Sequence, residues 1–436
     1  MSEKLFDKAL QYYNNGDLKA AQKCVAKILR ACPFQAAALM LKGNILFQQD
    51  LLADALIAYQ QALQADSTLL SIKSNIANVL FEQKDYQKAY EYAFQAVEDN
   101  ANDFNAWVIY GNAALELEKH NEAKAAFLQT LKIDSGYAWG YNALSRIYQK
   151  QGDFSRALAC SWRAVELAPS DDAHHLNFGY LLYEIADDIS LTQRDEYATK
   201  WLISYGKNPI VNHMASAILH NEKVNRADGD YVRRIFDAFA DDFEDVLHNL
   251  DYCAPQLIAN ELDMRFGESY YKKMRILDAG CGTGLCGDFL RKYARFGQLY
   301  GIDISEKMLD VAQGKKIYNK LQQADIETCL PLKHNFFDLI IAADVLTYIG
   351  DLDRVVSNFT RLLQRDGHLM FTVSKNYVDN ADYYLHNSGR FLHHKNYIEQ
   401  LLSKHNFNVE MISEHFLRNE GDNKVMGYLV VARKKI

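Results

Sequence analysis

Proline is scarce, with five in 436 residues, so long helices are seldom interrupted and Pro-rich linkers are excluded. No run of 18 apolar residues occurs anywhere, so no membrane-spanning helix is expected. The opening MSEKLFDKALQYY lacks the apolar stretch of a signal peptide, and a cytoplasmic location is the expectation. Seven cysteines (Cys24, Cys32, Cys160, Cys253, Cys281, Cys286 and Cys329) are scattered without C-x-x-C spacing or clustered histidines. They read as reduced thiols, and neither a zinc site nor any other metal is expected. A basic excess is also missing. With 48 Lys and Arg against 56 Asp and Glu the net charge is −8, which argues against a nucleic-acid partner. What remains is a folded chain too long for one ordinary domain.

The N-terminal part of the chain repeats. Ala21, Ala55, Ala89, Ala123 and Ala157 recur at a constant step of about 34 residues, as do Ile28, Ala62, Ala96, Thr130 and Ala164. A third ladder runs Ala9, Gly43, Ala77, Gly111 and Ser145 with the same step. Small residues at this period, where two helices would cross, resemble the tetratricopeptide repeat. That resemblance implies a helical superhelix over residues 1–171, with a protein or peptide partner on its concave face. Residues 172–225 start as a sixth unit and then lose the register, so they are expected to cap the array. His174, His175 and His213 there read as surface or packing residues.

The segment Met274–Gly287, MRILDAGCGTGLCG, changes the chemistry. Ile276 and Leu277 fit the end of a buried parallel strand, with Asp278 at its tip. Gly280, Cys281, Gly282 and Gly284 fit a turn that opens a helix near Leu285. Glycines let the backbone approach a ligand, and the helix start presents unpaired N–H groups. A dinucleotide fingerprint would need Gly or Ala where Leu285 stands, which argues against an NAD-dependent oxidoreductase. One strand–helix–strand step beyond Asp278, the run Leu299–Ile302 ends in Asp303. A carboxylate there can accept both ribose hydroxyls, with Ile304 beside it. Asp325 with Ile326 follows a third short run, and Phe337–Ala343 reads as a strand buried on both faces.

This ordered series resembles class I S-adenosylmethionine methyltransferases. Later segments, ADVLTYIGDL at 343–352, GRFLHH at 389–394 and LRNEGDNKVMGYLVVARK at 417–434, are similar to the ubiquinone-biosynthesis-like methyltransferase group with N-terminal tetratricopeptide repeats. The resemblance implies a doubly wound α/β domain of seven strands over 226–436, S-adenosylmethionine as cofactor and S-adenosylhomocysteine as product. In such a domain Asp325 would meet the adenine amino group, Ile326 would pack on the ring, and Ala343 would border the methyl. The aromatic helical stretch Tyr231–Leu247 would form a lid that brings Phe239 or Phe243 over the cofactor.

A sulfonium methyl needs mainly an aligned nucleophile, plus a base where that nucleophile carries a proton. Candidate bases are His393, Tyr348 and Asp344. Arg390 and His394 are candidates for holding the acceptor, in a polar stretch, Asn376–Lys395, that reads as a substrate-covering loop. A scaffold or sensor that binds the cofactor without turnover is the other reading. The acceptor itself, a small molecule or a protein, is not specified.

Overall fold

A computed structural model describes residues 2–69, 71–220, 224–328, 330–378, 381–421 and 423–435. The chain forms two compact units, Met1–Pro169 and Ser170–Ile436.

The first unit holds ten helices in five pairs: α1 (Ser2–Asn14) with α2 (Leu18–Ala31), α3 (Ala36–Gln48) with α4 (Leu52–Ala65), and α5 (Ile72–Glu82) with α6 (Tyr86–Asp99). After them come α7 (Phe104–Glu116) with α8 (His120–Ile133), and α9 (Ala138–Lys150) with α10 (Phe154–Leu167). The second helix of each pair begins one full repeat period after its predecessor, at Leu18, Leu52, Tyr86, His120 and Phe154. The predicted ladders are the packing seams. All five alanines of the first ladder are fully buried, and in the third a Cβ on Gly43 would fall 2.4 Å from the Tyr59 ring. Two repeats on, Gly111 meets Phe127 in the same way, at 2.9 Å. Each turn inside a pair passes through one left-handed residue: Gly16, Asp50, Lys84, Glu118 and Gly152. Asp17, Asp85 and Asp153 then cap the following helix, each accepting a backbone N–H three residues on.

The second unit opens with α11 (Asp172–Glu184), α12 (Leu191–Tyr205) and α13 (Pro209–Ile218). α11 begins one repeat period after α9, in phase, and α12 then slips out of step. His174, His175 and His213 are buried packing residues here; His175 Nδ1 accepts from the Trp201 indole at 3.0 Å. Three helices follow: α14 (Gly229–Phe239), α15 (Phe243–Asn249) and α16 (Ala254–Arg265). The aromatic stretch is therefore two helices, broken at Ala240–Asp242.

The sheet and its covering helices run β1 (Met274–Ala279), α17 (Gly287–Tyr293), β2 (Ala294–Asp303), α18 (Glu306–Gly314), β3 (Lys320–Gln323) and β4 (Phe337–Ala342). They continue with α19 (Asp353–Leu362), β5 (Leu363–Lys375), β6 (Tyr383–Leu385), β7 (Phe391–His393), α20 (Lys395–Lys404), β8 (Phe407–Glu420) and β9 (Asn423–Lys434). Side chains alternate between two cores. Leu277, Ile340 and Phe371 face α19 and α20, whereas Ile276, Leu339, Ile341 and Met370 face α16 and α17. Two-sided burial explains why Leu339–Ala342 is apolar throughout, whereas Asp338 at the strand's start is half-buried and pairs with Arg275.

Among the described residues the sheet has nine strands, not the seven expected. The path β3-β2-β1-β4-β5 is parallel; β9 joins β5 antiparallel, and β8 joins β9. The two additional strands are β6 and β7, inside the stretch read as a loop. β7 pairs with Ser374 and Lys375 on the edge of β5 that β4 leaves at Ala342. Apolar anchors make this a hairpin: Phe391 is fully buried, and it and Leu385 pack on Ala217 of α13.

Candidate functional site

The strands β1, β2 and β4 end at one edge of the sheet, and there the chain leaves a cavity of about 160 Å³. Its lining includes Gly280, Cys281, Gly282, Thr283, Asp303, Ile304, Asp325, Ile326 and Ala343, nine of the residues expected at a cofactor site or within its loop. Gly280 and Gly282 have φ of +75° and +52°, which L side chains rarely adopt. A Cβ on Gly280 would lie 2.3 Å from Val345 Cγ2, so only glycine lets the loop rest on the segment after β4. The Gly280 and Cys281 N–H groups donate to Ile302 O at 2.7 and 2.9 Å, which fixes the loop to the end of β2.

Asp303 is preset. One carboxylate oxygen accepts from Gly282 N and the other from Ser305 N, both at 2.9 Å. Burial raises its pKa, against the pull of these N–H donors. A carboxylate has more acceptor sites than these bonds use, and Asp303 lines the cavity. Asp325 lines the cavity while pairing with Arg226 at 2.9 Å, and Arg226 also meets Glu327. Arg226 gave no signal in the sequence, because its partners are remote along the chain.

Asp278 lies behind the loop rather than on the cavity wall. It is fully buried, accepts from the Tyr318 hydroxyl at 2.5 Å, and burial pushes its pKa up to about 7. Gly284 also stands off the wall, with the Tyr318 ring 3.0 Å from where its Cβ would be. Both support the loop from beneath.

Phe239 does not line the cavity; Phe236 and Phe243 do. Of the two expected covers Phe243 is therefore on the wall and Phe239 is not, since the break between α14 and α15 shifts the helical phase. Phe236 meets Phe243 edge to face at 5.9 Å and Tyr348 at 5.5 Å. Thr283 Oγ1 donates to Glu244 of α15 at 2.5 Å, and Lys315 also pairs with Glu244, tying this cover to the glycine loop.

At the opposite end stand Asp344, Tyr348, Arg390 and Arg418. Asp344 has φ +57°, a strained value for a non-glycine residue, and its N–H donates to Thr372 Oγ1 at 2.8 Å. The Arg418 guanidinium, fully buried, binds both Asp344 oxygens and Glu420. Arg390 also pairs with Glu420 and lines the cavity together with Tyr348. Arg418 and Glu420 were not among the expected residues, although LRNEG was a family-like segment.

His393 and His394 require correction. His393 is fully buried outside the cavity, with Nε2 2.9 Å from Ile349 O and 3.1 Å from Gly350 O. Carbonyl oxygens only accept, so Nε2 carries the proton, and burial pushes the pKa down to about 4. It anchors the segment after β4 and has no path to a substrate. His394 caps α20, its Nδ1 accepting from Asn396 N at 3.2 Å.

Comparison with known proteins agrees with this geometry. Residues 277–371 match the methyltransferase-domain family. Residues 6–69 and 140–171 match tetratricopeptide-repeat families, and 52–130 match anaphase-promoting complex, cyclosome, subunit 3. A ubiquinone biosynthesis O-methyltransferase of Coxiella burnetii is 32% identical over 111 residues, 24% of this chain and 46% of that protein. A DnaJ homolog subfamily C member 7 homolog of Schizosaccharomyces pombe is 29% identical over 183 residues, 38% of each chain. A SAM-dependent methyltransferase structure from Methanosarcina mazei aligns at 18% identity and TM-score 0.32, covering 38% of this chain and 96% of that one. The chain spans less than half the length of these two curated relatives.

The chain joins a tetratricopeptide-repeat array to a methyltransferase domain. The residues present suit S-adenosylmethionine as cofactor: a glycine cradle, a preset carboxylate and apolar walls from Ile304 and Ile326. Among the described residues there is no metal-binding cluster and no helix long and apolar enough to cross a membrane.

Proposed function

We propose that the protein transfers a methyl group from S-adenosylmethionine to an acceptor that enters beside Tyr348. The observation that carries this reading is one cavity bordered by the glycine loop, Asp303, Asp325 and Ala343, at the ends of adjacent strands. In it Asp303 would hold the ribose hydroxyls, Asp325 would face the adenine amino group, and Ile304 and Ile326 would pack on the base. The backbone at Gly280–Gly282 would bear on the amino-acid end, with Asp278 acting from behind through the loop. The cofactor, when bound, supplies an activated methyl on a sulfonium and leaves as S-adenosylhomocysteine. Phe236 and Phe243 would keep water from that centre.

Tyr348 is the candidate to touch the acceptor, with Arg390 on the same cavity wall. Asp344 is engaged by Arg418 and would act by positioning that guanidinium. With His393 withdrawn to a structural place, no imidazole serves as base. The repeats at 1–171 would recruit a protein or peptide partner; 226–436 would carry the chemistry, with 172–225 packed against its acceptor end.

Calorimetry on the full chain tests the reading. S-adenosylmethionine and S-adenosylhomocysteine should bind in the micromolar range, about −8 kcal/mol, and NAD should not. Tight NAD binding without either adenosyl compound would sink it.

A further inference from the structure

A second cavity, of about 200 Å³, adjoins the first, and Arg390 and Arg418 line both. The two guanidinium groups therefore form a partition between them. On the far side stand Tyr183 of α11, with Tyr384 and His386 of the β6–β7 hairpin. Tyr183 meets His386 edge to face at 5.7 Å, and His386 meets Tyr384 at 6.2 Å, which gives a continuous aromatic wall.

Two features mark this cavity for an acidic ligand. The first is charge. Among the described residues Lys375, Arg390, Arg418 and Lys424 line it against one carboxylate, Glu420. Glu414 engages Lys375 from outside, and Asp344 takes part of Arg418, but among the described residues Lys424 has no carboxylate partner. The second is Ser374, at the point where β5 is paired by β7 and β9 together. It lines the cavity and is fully buried, and its Oγ has no hydrogen-bond partner among the described residues. A buried hydroxyl left unpaired is destabilising, and a bound acceptor group would relieve it.

We infer that this cavity holds the carboxylate of a small acid whose apolar body lies along the Tyr183–His386–Tyr384 wall. Its nucleophile then reaches past the arginine partition to Tyr348. The acceptor class is thus a carboxylic acid with an apolar or aromatic body. This rests on the methyltransferase reading above and goes beyond it by naming what is methylated.

The test uses the full chain saturated with S-adenosylhomocysteine, titrated calorimetrically with 4-hydroxybenzoate, 3-phenylpropionate and octanoate, each against its neutral amide. At least one acid should bind ten times or more tighter than its amide. Lys424→Gln, at the surface, and Ser374→Ala, which removes only the hydroxyl, should each weaken that acid about fivefold and leave S-adenosylhomocysteine binding within twofold. Equal binding of acid and amide, no binding of any acid, or acid binding unmoved in both variants would overturn the inference. Failure of S-adenosylhomocysteine to bind at the outset would instead bring down the methyltransferase reading, and this inference with it.

Discussion

One nitrogen of the Arg418 guanidinium lies 2.7 and 2.9 Å from the two carboxylate oxygens of Asp344, across 74 residues of sequence. The pair joins the strained turn after β4 to the β8–β9 hairpin and is almost wholly buried, Arg418 being 1% and Asp344 13% exposed. Truncating one partner leaves a charge in a dry site, which costs more than the pair contributes. Arg418→Met should therefore lower the unfolding free energy by about 3–5 kcal/mol in urea titrations. Asp344→Asn combined with Arg418→Met should recover part of that loss. Equal stability of Arg418→Met and wild type would mean that water reaches the pair.

Cofactor binding should separate two kinds of change at the loop. Gly280→Ala drives a Cβ to 2.3 Å from Val345 at a backbone angle alanine avoids, so the loop must move. Its S-adenosylmethionine affinity should fall beyond calorimetric detection. Asp303→Asn keeps the shape but leaves either Gly282 N–H or Ser305 N–H facing an amide NH2, and loses charge-assisted bonds; it should weaken binding by about 1–3 kcal/mol. An Asp303→Asn variant of unchanged affinity would place the ribose elsewhere.

The repeats were legible because every unit solves the same packing problem, so Ala21 and its four equivalents had to stay small. The cofactor edge was legible for a related reason: Asp303 ends a strand whose apolar run announces it, and Asp325, after the polar strand Lys320–Gln323, was legible from its place in the ordered series. Contacts with no local pattern were not legible. Arg418–Asp344 and Arg226–Asp325 join side chains 74 and 99 residues apart. The β6–β7 hairpin hid in a polar, tyrosine-rich stretch whose few apolar side chains, Leu385 and Phe391, are spaced too widely to alternate visibly. Phe239 failed as a cover because helical spacing carries phase only while the helix is unbroken.

The buried titrating groups set opposing pH trends. His213 and His393 titrate near 4 in the folded unit, pushed down by burial, and ordinarily near 6.5. Between those values the unfolded chain takes up protons that the folded rings refuse. Their stabilising contribution is complete above pH 6.5 and is lost as pH falls toward 4, by about 1.4 kcal/mol per pH unit per ring. Asp278 works the other way: burial raises it from 3.8 to about 7, so the folded state keeps a proton the unfolded chain gives up, and stability falls as pH rises through that window. In urea titrations from pH 4 to 7.5, His393→Gln should flatten the acid limb, and Asp278→Asn should remove the opposing slope. An acid limb unchanged in His393→Gln would show that the ring is already charged or exposed.

The last expectation concerns where the methyltransferase half can be cut. A boundary at residue 226, drawn where the sequence pattern changes, leaves α11–α13 behind. Those helices hold the acceptor end of the site. His213 Nε2 lies 2.7 Å from Gly389 O in the hairpin turn, and its ring stacks on Tyr231 of α14 at 4.1 Å. Asn225 O, also lost with a cut at 226, accepts from Gly350 N at 2.8 Å, two residues from Tyr348. Ala217 completes the cluster around Leu385 and Phe391. A chain of residues 170–436 should therefore fold and bind S-adenosylhomocysteine as the full chain does. A chain of residues 226–436 exposes Phe391 and frees the segment around Tyr348, so it should unfold at a lower temperature and bind at least tenfold more weakly. Calorimetry on both, with circular dichroism melts, decides it: equal affinity and melting of the two would show that α11–α13 are dispensable to the site.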